Sequence, residues 1–99
     1  MEIIKTLEGN TLTIALTEKL DTNSAPELEE VLSRSLDGVE KLIFDFKKLN
    51  YLSSAGLRVL LNAQKEMSKK GCMIIRHVND VIMDIFDMTG FSTILTIED

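Results

Sequence analysis

The sequence predicts one α/β domain over residues 1–99, with a mixed β-sheet and the element order β-β-α-β-α-β-α-β. Three observations predict it. Residues 11–18, "TLTIALTE", alternate apolar and polar side chains with the period of a half-buried strand. Three later stretches, 24–36, 55–70 and 80–88, repeat their apolar residues at helical spacing. Short apolar runs at 41–46, 72–77 and 93–97 follow or separate those helices. Strands joined by helices in this way are most easily parallel, with right-handed crossovers.

The first strand is expected at 2–7, "EIIKTL", joined to 11–18 by a short Gly-containing hairpin loop. In the second strand Leu12, Ile14 and Leu16 alternate with Thr11, Thr13, Ala15 and Thr17. The first helix, 24–36, opens with Ser24 and Glu27 at capping-box spacing. Pro26 lies in its first turn, where a missing N–H does little harm. Leu28, Val31, Leu32 and Leu36 share one face, and Gly38 is a stop signal.

The strand "KLIFDF", 41–46, places Leu42, Phe44 and Phe46 on one face and Asp45 on the other. The second helix carries Leu57, Leu60, Leu61, Gln64 and Met67 inward. Lys69 and Lys70 suit the negative end of its dipole, and Gly71 suits a left-handed stop. After the strand "CMIIRH", Asn79 is placed to cap the third helix, with Ile82, Ile85 and Phe86 inward and Gly90 at its end. The expected core includes Leu16, Leu28, Leu32, Phe44, Leu57, Leu60, Ile74, Ile82 and Ile85.

Composition narrows the function. A hydrophobic fraction of 44% in 99 residues is enough for a single core without metals or disulfides. The formal charge of −5 argues against a nucleic-acid binder and against adhesion to an anionic membrane. Cys72 is the sole cysteine, which excludes an internal disulfide and fits a reducing compartment. "MEIIKTLEGN" does not read as a signal peptide, and no apolar run is long enough to span a bilayer. A cytoplasmic domain is expected.

The corner "NYLSSAGLRVLL", 50–61, turns from strand to helix through two hydroxyls and a glycine. Ser54 precedes the helical pattern and is expected to cap it, with an accessible hydroxyl. A nucleophile elbow would need Gly-x-Ser-x-Gly, and Leu52 stands where the leading glycine belongs. The one histidine, His77, sits at the end of another strand and reads as a strand-end residue. Neither a phosphate loop nor a zinc-type Cys/His spacing occurs, so no cofactor or metal is expected and no catalytic residue is assigned.

"LIFDFKKLNYLSSAGLRVLL" resembles the signature of STAS domains, the family of anti-sigma factor antagonists and sulfate-transporter tails. The matching features are a strand with Asp45, a loop with Leu49 and Tyr51, then Ser53-Ser54-Ala55-Gly56-Leu57 entering a helix. "LDTNSAPELEEVL", with Asp21, resembles the family's entry into its first helix. "IFDMTGFSTILTI" resembles its last helix, Thr-Gly turn and final strand. The chain departs from the pattern at Ser53, often aspartate in the family, and at Glu18-Lys19, where a glycine is common. Many relatives continue into a C-terminal helix, which is expected to be absent here.

The resemblance implies an anti-sigma factor antagonist rather than an enzyme. It implies phosphorylation of Ser54 by an anti-sigma serine kinase, with Ser53 as the alternative, and removal of the phosphate by a serine phosphatase. It implies a partner-binding face made of Asp21, Thr22, Asn23, Ser53, Ser54 and Arg58, without nucleic acid or direct membrane contact. The other function open to the family is a STAS subunit or scaffold of a transporter or signalling complex, without serine phosphorylation.

Overall fold

The computed structural model describes residues 1–98. Its elements are β1 (Ile3–Glu8), β2 (Thr11–Leu20), α1 (Ala25–Ser35), β3 (Lys41–Leu52), α2 (Ser54–Ser68), β4 (Cys72–Arg76), α3 (Asp80–Thr89) and β5 (Ile97–Glu98). The strands form one sheet in the order β1-β2-β3-β4-β5. β1 and β2 pair antiparallel through a hairpin with Gly9 at φ 61°, and every later pair is parallel. The expected element order and mixed sheet are therefore present.

Leu12, Ile14, Leu16, Leu42, Phe44, Phe46, Met73 and Ile75 lie on one sheet face and pack with Leu28, Leu32, Leu57, Leu60, Ile82 and Phe86 from the three helices. No polar or charged residue is buried among the described residues. The other sheet face carries Thr11, Thr13, Ala15, Ile43, Asp45 and Ile74 at the alternate positions. Ile74 is buried as expected, but on this second face and outside the main core. Ile85, expected in the core, is half-buried at its margin.

β3 runs six residues beyond the expected end at Phe46. The pairing shows why periodicity hid this. From Ala15↔Asp45 to Thr17↔Lys48, and again from Glu18↔Leu49 to Lys19↔Tyr51, β3 advances one residue more than β2. These are two bulges. They turn a three-residue spacing, Phe46, Leu49, Leu52, into three inward side chains, all buried. Glu18 sits opposite the bulged segment with φ 67°, in the left-handed region.

α2 buries Gly56, Leu57, Val59, Leu60, Ala63 and Met67, whereas Leu61 and Gln64 are only half-buried. Its stripe turns toward α1 because Val59 and Ala63 face Leu32 and Leu36 across the helix pair. Gly71 does not take the expected left-handed conformation. A Cβ there would lie 1.8 Å from the Glu40 carbonyl oxygen, so glycine is required for the close approach that lets Cys72 N–H bond that oxygen at 3.0 Å. The strand expected at 93–97 is reduced to its last residue plus Glu98. Phe91–Thr93 instead form a 3-10 turn, and the Leu95 amide donates to the Phe91 carbonyl at 2.8 Å, a helical bond that keeps this segment out of the sheet.

Candidate functional site

The corner is built where β2 and β3 end side by side, with Leu20 opposite Leu52. The Ser53 amide donates to the Leu20 carbonyl at 2.9 Å, which continues the ladder one step past the strand. This holds Ser53 extended, at φ −94° and ψ 177°, and makes it the helix N-cap. The expectation that Ser54 caps the helix is therefore corrected. Ser54 is the first helical residue, one position earlier than the amphipathic pattern suggested, and its side chain is exposed. The Ser53 hydroxyl does not cap either: its oxygen is enclosed and has no hydrogen-bond partner among the described residues.

The first intrahelical bond runs from Leu57 N to Ser53 O at 2.9 Å. The amides of Ser54, Ala55 and Gly56 precede it and belong to the turn that lacks intrahelical acceptors. The positive end of the helix dipole thus lies beside the exposed Ser54 hydroxyl. Gly56 lets the helix start this close to β2. A Cβ on it would lie 2.6 Å from Leu52 Cδ1 and 2.8 Å from both Leu20 Cγ and the Leu20 carbonyl oxygen. The glycine of the Ser-Ala-Gly corner has that steric cause.

Beyond Leu20 the chain turns at once into the loop before α1. The Asp21 carboxylate accepts from the amides of Asn23 at 3.0 Å and Ser24 at 3.2 Å. The Ser24 hydroxyl accepts from the Asp21 amide at 2.9 Å and donates to the Lys19 carbonyl at 2.8 Å. Ser24 is the N-cap residue of α1 by position, but it makes no side-chain cap bond to the helix, so the capping box suggested by Ser24 and Glu27 is not formed. Its hydroxyl is used in the loop instead. The Ser24 amide is the main reason that the Asp21 carboxyl titrates below its usual range; slight desolvation opposes it, and the Asn23 amide, Ser24 hydroxyl and Lys19 charge assist it. Thr22 and Asn23 are exposed on this braced turn.

The Ser53–Leu20 bond therefore brings the Asp21–Asn23 loop beside the two serines. Arg58 follows one turn after Ser54, is exposed, and has no ion-pair partner among the described residues.

Sequence reasoning missed a second polar feature. His77 Nδ1 lies 2.8 Å from Asp45 Oδ1, on the sheet face away from the helices. His77 has φ 61°, in the left-handed region. Partial burial raises the Asp45 pKa and is the largest single effect. The His77 hydrogen bond, the Lys47 amide and the charges of His77 and Lys47 together outweigh it, so the net shift is downward. The usable signal was register: Asp45 is level with Arg76, the residue before His77. No hydrogen bond joins His77 to either serine among the described residues, so a triad has no support in the geometry. No group of three potential metal ligands occurs among the described residues, and no described helix is long and apolar enough to cross a membrane.

A mixed sheet with all helices on one face, and a serine on a helix N-terminus at the edge of that layer, define a compact module that presents a hydroxyl at its surface. The STAS domain family model matches residues 2–99, and the chain belongs to the STAS domain family. It is 29% identical over 80 residues to the putative anti-sigma factor antagonist BtrV of Bordetella bronchiseptica, covering 79% of this chain and 69% of that one. It is 28% identical over 83 residues to the anti-sigma-B factor antagonist of Staphylococcus aureus, covering 82% and 77%. The fold is that of the anti-sigma factor antagonist SpoIIAA in its unphosphorylated form, with TM-score 0.78 at 18% identity over 99% of this chain and 88% of that one. A sulfate transporter family protein from Wolinella succinogenes shares it as well, with TM-score 0.78 at 17% identity over 92% and 75%.

Proposed function

We propose that this protein is a cytoplasmic anti-sigma factor antagonist. Its unmodified form binds an anti-sigma serine kinase and so releases a sigma factor; a phosphate on Ser54 ends that binding, and a serine phosphatase restores it. The observation that carries this reading is the exposed Ser54 hydroxyl at the first residue of α2, beside the Asp21–Asn23 loop. The two curated antagonists described above support it by sequence similarity over about four-fifths of this chain.

The physical logic is that of a surface switch. A phosphate on Ser54 would lie over the open amides of α2, where anions are favoured, so the domain has no reason to unfold. A partner docked on the same corner would meet a new charge of about −1.5 to −2 and three strong acceptors. A penalty of about 3 kcal/mol weakens binding roughly a hundredfold. ATP and Mg²⁺ belong to the kinase, and the antagonist supplies the hydroxyl and the docking face, without a catalytic residue of its own. Ser53, with its oxygen enclosed, is a poorer phosphate acceptor than Ser54.

Incubation with the kinase and Mg-ATP, followed by mass-spectrometric mapping, tests the reading: one phosphate on Ser54 is expected. A phosphate on Ser53 would move the site by one residue. No phosphate on either serine, with a kinase proven active, would favour the second reading, a STAS subunit or scaffold of a transporter, which the shared fold with the Wolinella protein makes reasonable.

A further inference from the structure

The outer face of α3 carries two parallel stripes. Val81, Ile85 and Met88 form one, and Asp80, Asp84 and Asp87 form the other, each with the spacing of residues on one helix face. Ile82 and Phe86 already anchor α3 to the core, so the apolar stripe is not needed to hold the helix down. Its members are unusually open: Met88 is 85% exposed and Val81 56%, with Ile85 half-buried between them. Ile94, beyond the 3-10 turn that follows α3, is exposed too.

Charge selects the occupant. Residues 78–99 contain five acidic residues and no lysine or arginine. Residues 1–77 hold 11 of each sign, so the whole formal charge of −5 resides in the segment that contains α3. Two copies packed through α3 would set aspartate stripe near aspartate stripe, which disfavours self-association. An anionic bilayer is repelled for the same reason. A helix bearing a lysine or arginine row beside an apolar row matches both stripes at once, the apolar row against Val81, Ile85 and Met88 and the cations against the aspartates. Met88, long and unbranched, adapts to an imprecise apolar partner.

We propose that the outer face of α3 docks a cationic amphipathic helix of a partner protein. The proposal goes beyond the phosphorylation switch and does not rest on it.

The test uses the whole protein and a synthetic Leu/Lys amphipathic peptide of about 18 residues, long enough to hold a helix, with its Leu/Glu counterpart as control. Fluorescence anisotropy should show binding of the Lys peptide, much weaker binding of the Glu peptide, and a loss with added salt. Asp84→Lys with Asp87→Lys should lower the affinity at least about tenfold, a change of about 1.4 kcal/mol. Val81→Gln with Met88→Gln should also weaken it without changing the charge. Because these side chains are exposed, the variants should keep the wild-type circular dichroism. In ¹⁵N spectra of the wild-type protein the peptide should shift the amides of α3 first, and Ser54→Asp should leave its affinity unchanged. Equal binding of the two peptides, shifts centred elsewhere, or unaltered affinity in both double variants would overturn the proposal. So would a wild-type dimer in sedimentation that Val81→Gln with Met88→Gln dissolves, since the face would then belong to a second copy.

Discussion

A side chain on Gly56 would place its first carbon 2.8 Å from the carbonyl oxygen of Leu20, the oxygen that the Ser53 amide bonds at 2.9 Å. The start of α2 and the end of β2 are thus locked together by one hydrogen bond and one missing methyl. Backbone cannot yield as the tip of a side chain can. Gly56→Ala should therefore destabilise the protein by about 1–3 kcal/mol through overpacking, despite alanine's better helix propensity, worth about 1 kcal/mol. Urea unfolding measures this; a variant as stable as wild type would mean that the corner has room.

The two serines should respond differently to removal of their hydroxyls. Ser54 makes no cap bond and is exposed, so Ser54→Ala should stay within about 0.5 kcal/mol of wild type while losing the phosphate acceptor. Ser53→Ala removes an enclosed oxygen without a partner, so it should be neutral or stabilising by up to about 1 kcal/mol. Parallel urea melts decide it. A loss of 1 kcal/mol or more at Ser54 would restore the capping role that its place as the first helical residue denies.

Asn79 is a true cap. Its carboxamide oxygen accepts from the Ile82 amide at 2.9 Å, and its nitrogen donates to the Leu49 carbonyl at 2.9 Å, tying α3 to the bulged end of β3. Asn79→Ala should cost about 1–2 kcal/mol. Asn79→Asp keeps the acceptor and loses the donor, so its thermal midpoint should fall between those of wild type and Asn79→Ala. An alanine variant melting with wild type would contradict both bonds.

The Asp45 pKa is lowered in the folded protein, which sets a pH dependence of known sign. A carboxyl that titrates lower when folded than when unfolded contributes stability above its unfolded value of about 4. That contribution is lost as pH falls through the lower, folded value. Asp45→Asn should therefore show a flatter decline of stability with acidification than wild type. Identical acid limbs in urea melts from neutral to strongly acid pH would remove the His77–Asp45 pair as the cause.

Much of the fold was legible because helix faces and the strand at Thr11–Leu20 follow simple periods, and Asn79 and Gly90 cap α3 as their residue types suggest. Legibility failed where tertiary contacts override a period. The two bulges in β3 break alternation, so Leu49 and Leu52 read as loop residues while lying in the core. Gly71 looked like a helix stop because its real constraint, the Glu40 backbone, lies about 30 residues away in sequence. The corner was found by its pairing of small residues and hydroxyls, but which serine caps depends on the Ser53–Leu20 bond, a long-range fact. The His77–Asp45 pair required the β3–β4 register.

The proposed docking face admits a charge test. Arg58→Glu, one turn from Ser54, should weaken binding of the unmodified protein to the anti-sigma kinase if an acidic partner surface meets this guanidinium. Surface plasmon resonance against the immobilised kinase gives the comparison, and unchanged binding would assign Arg58 to solvent alone.

The most direct test of the account is calorimetric titration of the anti-sigma kinase with the unmodified protein and with the same protein phosphorylated on Ser54. The account predicts a folded phosphoprotein whose affinity is lower by about a hundredfold or more, the equivalent of about 3 kcal/mol. Equal affinities for the two forms would contradict it.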